Sequence, residues 1–137
     1  MDYILGIFRL YSDFTPLIFR VVLGLAFVAH GYPKLFTSRE QVAQWFESIG
    51  IKPGKFWVLV VGVVEFFGGI ALILGAWVEL VGILLAVNMV VAMWKVKWGK
   101  VGYVAQGGWE LDLIYLVVAL SFLFTGAGAF SLSAFGF

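Results

Sequence analysis

The sequence predicts an all-α integral membrane protein: a four-helix bundle with a short interfacial amphipathic helix between helices one and two. Of its 137 residues, 63% are hydrophobic and 12% are charged, whereas about 25% of residues are charged in a typical globular protein. A hydrocarbon core about 30 Å thick needs about 20 apolar residues per helix. Four runs approach that length, at residues 16–36, 56–76, 78–95 and 109–128. We expect them to form one transmembrane domain over residues 1–137.

The first run is expected to remain in the protein as a helix. The stretch before it holds Asp2 and Asp13 against a single Arg9, whereas a cleavable signal begins with a positively charged region. Pro16 suits the first turn of a helix, where its missing N–H costs nothing. The preceding residues 1–15 form a short amphipathic lead, because Ile4, Phe8 and Tyr11 fall near one helical face.

The loop between the first two runs contains a predicted amphipathic helix at residues 39–49. Its apolar positions are Val42, Trp45, Phe46 and Ile49, which recur at the i, i+3, i+4, i+7 spacing of one helical face. Such a helix either lies in the plane of the lipid headgroups or packs on the ends of the bundle, and the sequence leaves both open.

The distribution of lysine and arginine predicts the orientation. The loops after helices one and three carry six of them, namely Arg39, Lys52, Lys55, Lys95, Lys97 and Lys100, and the opposite side carries Arg9 alone. Positively charged loops stay in the cytoplasm. We therefore expect a multi-pass protein of the plasma membrane with both termini outside.

The composition excludes several classes of function. The net charge is only +1, so the sequence lacks the basic stripe that nucleic-acid binding requires. With no cysteine and one histidine, the chain cannot form disulfides, iron–sulfur clusters or a histidine-rich zinc site, so no metal is expected.

Three apolar runs carry a polar side chain at a similar depth. At about 1.5 Å per residue, His30 lies about 9 Å, Glu65 about 13 Å and Asn88 about 10 Å from the cytoplasmic ends of their helices. Charged groups within a membrane are normally paired. The expected pairs are Glu65 with His30 or Lys34, and Glu110 with Lys34.

Glu65 is expected to face another helix. Gly62 and Gly69 lie about one turn away on either side of it, and small residues let helix backbones approach closely in lipid. Arg20, near the opposite surface, is interpreted as a snorkelling or interface-anchoring residue. Asp112 and the loop lysines are interpreted as solvated. The polar layer either fixes helix register or forms a functional site, and both readings stay open.

At these residues the chain resembles the DoxX family of small four-helix membrane proteins. The resemblance rests on Arg20, on the segment from His30 to Leu35 (HGYPKL), on Glu65 to Gly69 (EFFGG), on Glu110, and on Gly126 to Leu132 (GAGAFSL).

The resemblance implies a bundle associated with respiratory or redox chemistry. DoxD-type relatives look like the membrane subunit of thiosulfate–quinone oxidoreductases, and DoxX proteins are linked to oxidative-stress assemblies. The chain departs from the family pattern at Ser133, where an acidic residue is frequent. The absence of cysteine also removes the thiol chemistry of related bundles.

The leading hypothesis is therefore a quinone-linked redox or respiratory-chain-associated membrane protein, in which quinone or quinol is the cofactor. A quinone needs an apolar slot, donors for its carbonyl oxygens and a proton route. His30 is the candidate donor and proton exchanger, Lys34 the electrostatic stabiliser and Glu65 the proton relay. The candidate ligand-binding residues are Arg20, Phe27, Phe66, Asn88 and Glu110, with Asn88 as an orienting amide.

Two other hypotheses remain. The chain is alternatively a non-catalytic accessory or scaffold subunit of a larger membrane complex, with other membrane subunits or a second copy as its partners beside the lipid bilayer. The third hypothesis is a small-molecule carrier, for which four helices are few unless the chain dimerises.

Overall fold

The computed structural model describes residue 6 and residues 12–104 and 106–136, all of whose regular elements are helical. There are five α-helices in this part of the chain: α1 (Phe14–Tyr32), α2 (Arg39–Ser48), α3 (Gly54–Leu74), α4 (Val78–Val91) and α5 (Glu110–Thr125). The amphipathic lead predicted from Ile4, Phe8 and Tyr11 lies outside the described residues.

Two of these helices end in a π-helical turn. α1 continues as Pro33–Thr37, closed by a hydrogen bond from the Ser38 N–H to the Pro33 carbonyl at 2.7 Å, and α4 continues as Ala92–Lys97. Each π turn adds a residue to the helical repeat. The turns therefore change the direction in which the side chains at the ends of α1 and α4 project.

Three of the helices, counted with their π turns, are long and apolar enough to cross a membrane. They are Phe14–Thr37, Gly54–Leu74 and Val78–Lys97, with 24, 21 and 20 residues. α5 has 16 residues, because Gly126 adopts φ 62° and the helix ends before it. Three of the predicted runs are therefore helices that could cross a membrane by length and composition, and the fourth span stays a prediction.

The four long helices contact one another in a ring. α1 packs on α3, α3 on α4, α4 on α5, and α5 touches α1, the least extensive of the four contacts. Leu23, Phe27, Leu72, Leu85 and Phe122 fill the space between them. The outward faces are apolar, as lipid contact requires.

α1 and α3 come into backbone contact at two glycines, Gly24 and Gly69. A Cβ added to Gly69 would lie 2.6 Å from the Gly24 carbonyl oxygen and 2.8 Å from the Val28 nitrogen. Such contacts are shorter than a carbon atom allows. The two helices therefore cross with their backbones in contact, which is the role predicted for the small residues around Glu65.

α2 packs against the beginning of α3. Ala43 and Phe46 are buried against Val58, and the Gly54 N–H donates to Glu47 Oε1 at 2.9 Å. The opposite face of α2, with Glu40 and Trp45, is exposed. The predicted helix at residues 39–49 is therefore present, and its location in the headgroup plane stays a prediction.

Candidate functional site

A buried carboxylate joins three helices near the π-helical end of the bundle. The Glu65 residue is 3% exposed. Its Oε1 accepts a hydrogen bond of 2.7 Å from Asn88 Nδ2 on α4, and its Oε2 forms an ion pair with Lys34 Nζ from the π turn of α1. Glu65 is the one charged residue of α3 besides Lys55. Both of its carboxylate oxygens have a partner, as a charge in an apolar interior requires.

Lys34 reaches this carboxylate by passing over a glycine. A Cβ on Gly62 would lie 3.2 Å from Lys34 Cβ. The Lys34 side chain therefore has room only because Gly62 has no side chain. Lys34 Nζ also donates to the His30 carbonyl at 3.2 Å, and its side chain is 18% exposed. The lysine therefore connects the buried Glu65 to the rim of the bundle.

The structure confirms the pairing of Glu65 with Lys34, and the predicted pairing of Glu110 with Lys34 is wrong. Within the described chain Glu110 forms no ion pair, and its backbone N–H bonds the Tyr103 carbonyl at 3.4 Å. Glu110 begins α5, and α1 contacts α5 far less than it contacts α3. The lysine therefore turns to the carboxylate on the neighbouring α3.

His30 does not join the cluster of Lys34, Glu65 and Asn88. Its side chain is exposed, and its ring meets Tyr115 of α5 edge-on, with 6.3 Å between the ring centroids. The ring has no hydrogen-bond partner among the described residues. Of the three side chains predicted at one depth, the structure thus brings Glu65 and Asn88 into contact and places His30 on a different face.

The candidate aromatic residues also separate. Phe27 is fully buried, with its ring 5.6 Å from that of Tyr115. Phe66 packs instead against Phe36 at 5.3 Å and Phe67 at 5.2 Å, along the seam between α1 and α3. The two rings share no contact, so they do not line one slot together.

Arg20 is fully buried at the opposite end of the bundle, and the prediction of a snorkelling arginine is wrong. Its Nη2 donates to the carbonyl of Phe130, while Nε and Nη1 have no hydrogen-bond partner in the described part of the chain. The segment after α5 folds back over this end: Ser133 donates to the Gly75 carbonyl from its N–H at 3.1 Å and from Oγ at 2.9 Å. This segment covers the guanidinium and keeps it from the interface.

A second ion pair lies at the π-helical end, where the sequence predicted solvated groups. Asp112 is 9% exposed, and its Oδ2 lies 2.8 Å from Lys97 Nζ, which also bonds the Gly108 carbonyl at 3.0 Å. The interpretation of both residues as solvated is therefore wrong. The π turn of α4 brings Lys97 back over the first turn of α5.

Among the described residues, two apolar grooves lie on the outer surface of the helix ring. One, between α1 and α5, is lined by Phe19, Val22, Leu23, Ile114, Tyr115 and Val118. The other, between α4 and α5, is lined by aliphatic residues that include Ile83, Val87, Val90 and Leu116. No sequence pattern singled out Tyr115, although its position three residues after Asp112 places it on the same helical face.

The acidic and histidine side chains do not gather into a metal centre. Within the described residues, no three of them lie close enough together to hold a metal ion.

Comparison with known proteins identifies the family. A family model described as DoxX matches residues 15–98. The chain belongs to the DoxX family. The matched region includes Arg20, His30, Lys34, Glu65 and Asn88, so both ends of the bundle fall within it.

Two relatives extend the similarity beyond the DoxX match. A Bacillus subtilis protein named "Putative oxidoreductase CatD" is 31% identical over 125 residues, covering 91% of this chain and 89% of its own length. A Haemophilus influenzae protein named "Uncharacterized protein" is 31% identical over 126 residues, covering 89% of this chain and 90% of its own length. No solved structure matches this DoxX protein.

Proposed function

We propose that this DoxX protein is a quinone-linked component of a membrane oxidoreductase, built as a four-helix bundle with α5 as its fourth span. The observation that carries the proposal is the cluster of Lys34, Glu65 and Asn88 inside the candidate membrane spans. The relative from Bacillus subtilis named as an oxidoreductase supports the same class of function.

The cluster suits proton-coupled chemistry. Reduction of a quinone takes up protons as well as electrons, so a quinone site needs protonatable groups with a route to water. Glu65 is buried, and Lys34 extends from it toward the rim. In this proposal Glu65 and Lys34 hold and pass the proton, Asn88 keeps the carboxylate in place, and a redox partner subunit supplies the electrons.

The residues present also fit the binding of a quinone. The ring of a quinone requires apolar surface, and its carbonyl oxygens require donors. His30 is exposed at the level of the cluster and has free ring nitrogens, and the apolar face of the helices surrounds it.

Quinone occupancy of the purified protein tests this function. The protein is extracted in a mild detergent, and bound quinone is quantified by mass spectrometry beside Glu65→Gln and the control Glu79→Gln, which changes an exposed carboxylate on α4. We expect quinone in the wild-type protein and in the control, and less in Glu65→Gln. Quinone at the level of an unrelated membrane protein in all three samples would overturn the proposal.

A non-catalytic accessory subunit is the second candidate, and the saturation of Glu65 favours it. Because both carboxylate oxygens already have protein partners, the cluster also has the geometry of a group that fixes helix register. This function predicts that the protein co-purifies in stoichiometric amounts with a larger membrane complex and without quinone. The amount of co-purified complex should be the same in Glu65→Gln.

For the orientation we propose that the loops after α1 and α4 face the cytoplasm, with α2 at the lipid interface and the termini outside the plasma membrane. The asymmetry of lysine and arginine supports it. Since the chain has no cysteine, Lys100→Cys and Phe135→Cys each introduce one thiol at an exposed position. An impermeant thiol reagent added to intact cells should label only position 135. Labelling of position 100 would show that the orientation is the opposite of the proposed one.

A further inference from the structure

We propose that the groove between α1 and α5 is the quinone-binding site, with Tyr115 and His30 as the donors to the quinone carbonyls. This inference rests on the proposed function and assigns its ligand to one face of the bundle. Two polar groups on this face have no hydrogen-bond partner in the described part of the chain.

The first group is the imidazole of His30. It lies within a candidate membrane span, seven residues before the end of that span at Thr37, or about 10 Å along the helix. At that depth an imidazole N–H without a partner is strongly unfavourable in hydrocarbon. Its exposed ring is therefore a binding group for a ligand that enters from the bilayer.

The second group is the phenol of Tyr115. Its ring lies between Phe27 and His30, with centroids at 5.6 Å and 6.3 Å, yet its hydroxyl takes no hydrogen bond from or to the residues described. Tyrosine hydroxyls in apolar surroundings usually find a partner. The buried Phe27 supports one side of the phenol ring, which fixes the ring beside the imidazole.

Tyr115 lines one end of the groove, and His30 lies beside Tyr115, outside the lining. α1 and α5 run in opposite directions, so Tyr115 faces the turn of α1 that holds Phe27 and His30. From Tyr115 the groove continues between Phe19, Val22 and Leu23 of α1 and Val118 of α5, toward the far end of α1. A quinone headgroup at His30 and Tyr115 would therefore lay its apolar tail along the groove, in contact with lipid.

The neighbouring groove between α4 and α5 has the opposite character. Its lining is wholly aliphatic, with no donor for a carbonyl oxygen. A lipid chain can occupy either groove, but of these two grooves the one between α1 and α5 has a phenol in its wall and an imidazole beside that phenol. This contrast provides a matched control.

The experiment measures binding of a short-tailed quinone to the full-length protein in lipid nanodiscs. Two pairs of variants are compared: Tyr115→Phe with Tyr32→Phe, and Val22→Trp with Val87→Trp. Tyr32 packs on the other side of α1, against Phe36 and Phe66, and Val87 lines the control groove. We expect a tenfold or greater loss of affinity in Tyr115→Phe and Val22→Trp, and wild-type affinity in Tyr32→Phe and Val87→Trp.

Each other outcome overturns a defined part of the proposal. Wild-type binding in Tyr115→Phe and Val22→Trp, together with loss in Glu65→Gln, would leave the quinone function standing and place the site elsewhere. Absence of quinone binding in the wild-type protein would defeat the proposed function itself. Retention of a phospholipid that is lost in Tyr115→Phe, with no quinone bound, would assign the groove to a lipid ester and overturn the quinone assignment.

Discussion

Asn88 Nδ2 of α4 donates to Glu65 Oε1 of α3 over 2.7 Å, at the point where Lys34 reaches the other oxygen of the same carboxylate from α1. One side chain thus connects three helices. The connection has consequences for stability as well as for chemistry, and the two can be separated experimentally.

Glu65→Leu should destabilise the protein by roughly 1–3 kcal/mol, the cost of leaving a buried partner unsatisfied. The change leaves the Lys34 ammonium without its counterion and the Asn88 amide without its acceptor. Thermal unfolding in detergent, followed by tryptophan fluorescence, measures the effect. Glu79→Leu is the control, because Glu79 is exposed, and equal losses in the two variants would contradict a structural role for the cluster.

The double variant Lys34→Met/Glu65→Leu should be more stable than Glu65→Leu alone. Replacing a buried ion pair with apolar residues of similar volume is often neutral, whereas removing one partner strands the other charge. The same unfolding measurement on the four members of the cycle gives the coupling between the two residues. If the losses of unfolding free energy in the two single variants simply add in the double variant, the interaction between Lys34 and Glu65 contributes nothing to stability.

Arg20→Leu should release the segment after α5 while leaving the cluster around Glu65 intact. The guanidinium holds the Phe130 carbonyl, and the neighbouring Ser133 N–H bonds the Gly75 carbonyl. Hydrogen exchange of the Ser133 and Ala134 amides should become at least tenfold faster. In Arg39→Leu, which removes an exposed arginine on α2, these amides should exchange at the wild-type rate; unchanged exchange in Arg20→Leu would disprove the anchoring role.

Gly69→Ala should cost far more stability than Gly68→Ala, although the two glycines are adjacent. A methyl group on Gly69 would meet the α1 backbone at 2.6 Å, whereas on Gly68 its nearest contact is Val81 Cγ1 at 3.3 Å. Overpacking of this kind costs about 1–3 kcal/mol. Comparison of the two unfolding temperatures tests the backbone contact between α1 and α3, and equal temperatures would contradict it.

The sequence predicted that Glu65 and Asn88 lie at a similar depth, because depth in a helix follows from counting residues, and it offered His30 or Lys34 as the partner of Glu65. It did not predict which side chain at the end of α1 turns inward. His30 and Lys34 are one α-helical turn apart, but Pro33 begins a π turn between them, and Lys34 then passes over Gly62. Neither effect is visible in hydrophobic periodicity.

Arg20 and Asp112 were misjudged for a related reason. Both lie near predicted helix ends, where a charged side chain normally reaches water. The group that holds Arg20 is a backbone carbonyl 110 residues later in the chain, and a backbone acceptor leaves no mark in a residue pattern. The partner of Asp112 is a loop lysine brought back by the second π turn.

The contact between the glycines of α1 and α3 also divides the molecule mechanically. Backbones that touch at Gly24 and Gly69 have little room to slide past each other, so α1 and α3 form one closely packed half of the molecule. The hairpin of α4 and α5 is the other half. Within the described chain, the bond from Asn88 to Glu65 is the one hydrogen bond between side chains that crosses from one half to the other. A hinge motion of the hairpin relative to α1 and α3 would therefore have to break this bond. A gain or loss of charge at Glu65 would first change how strongly the hairpin resists that motion.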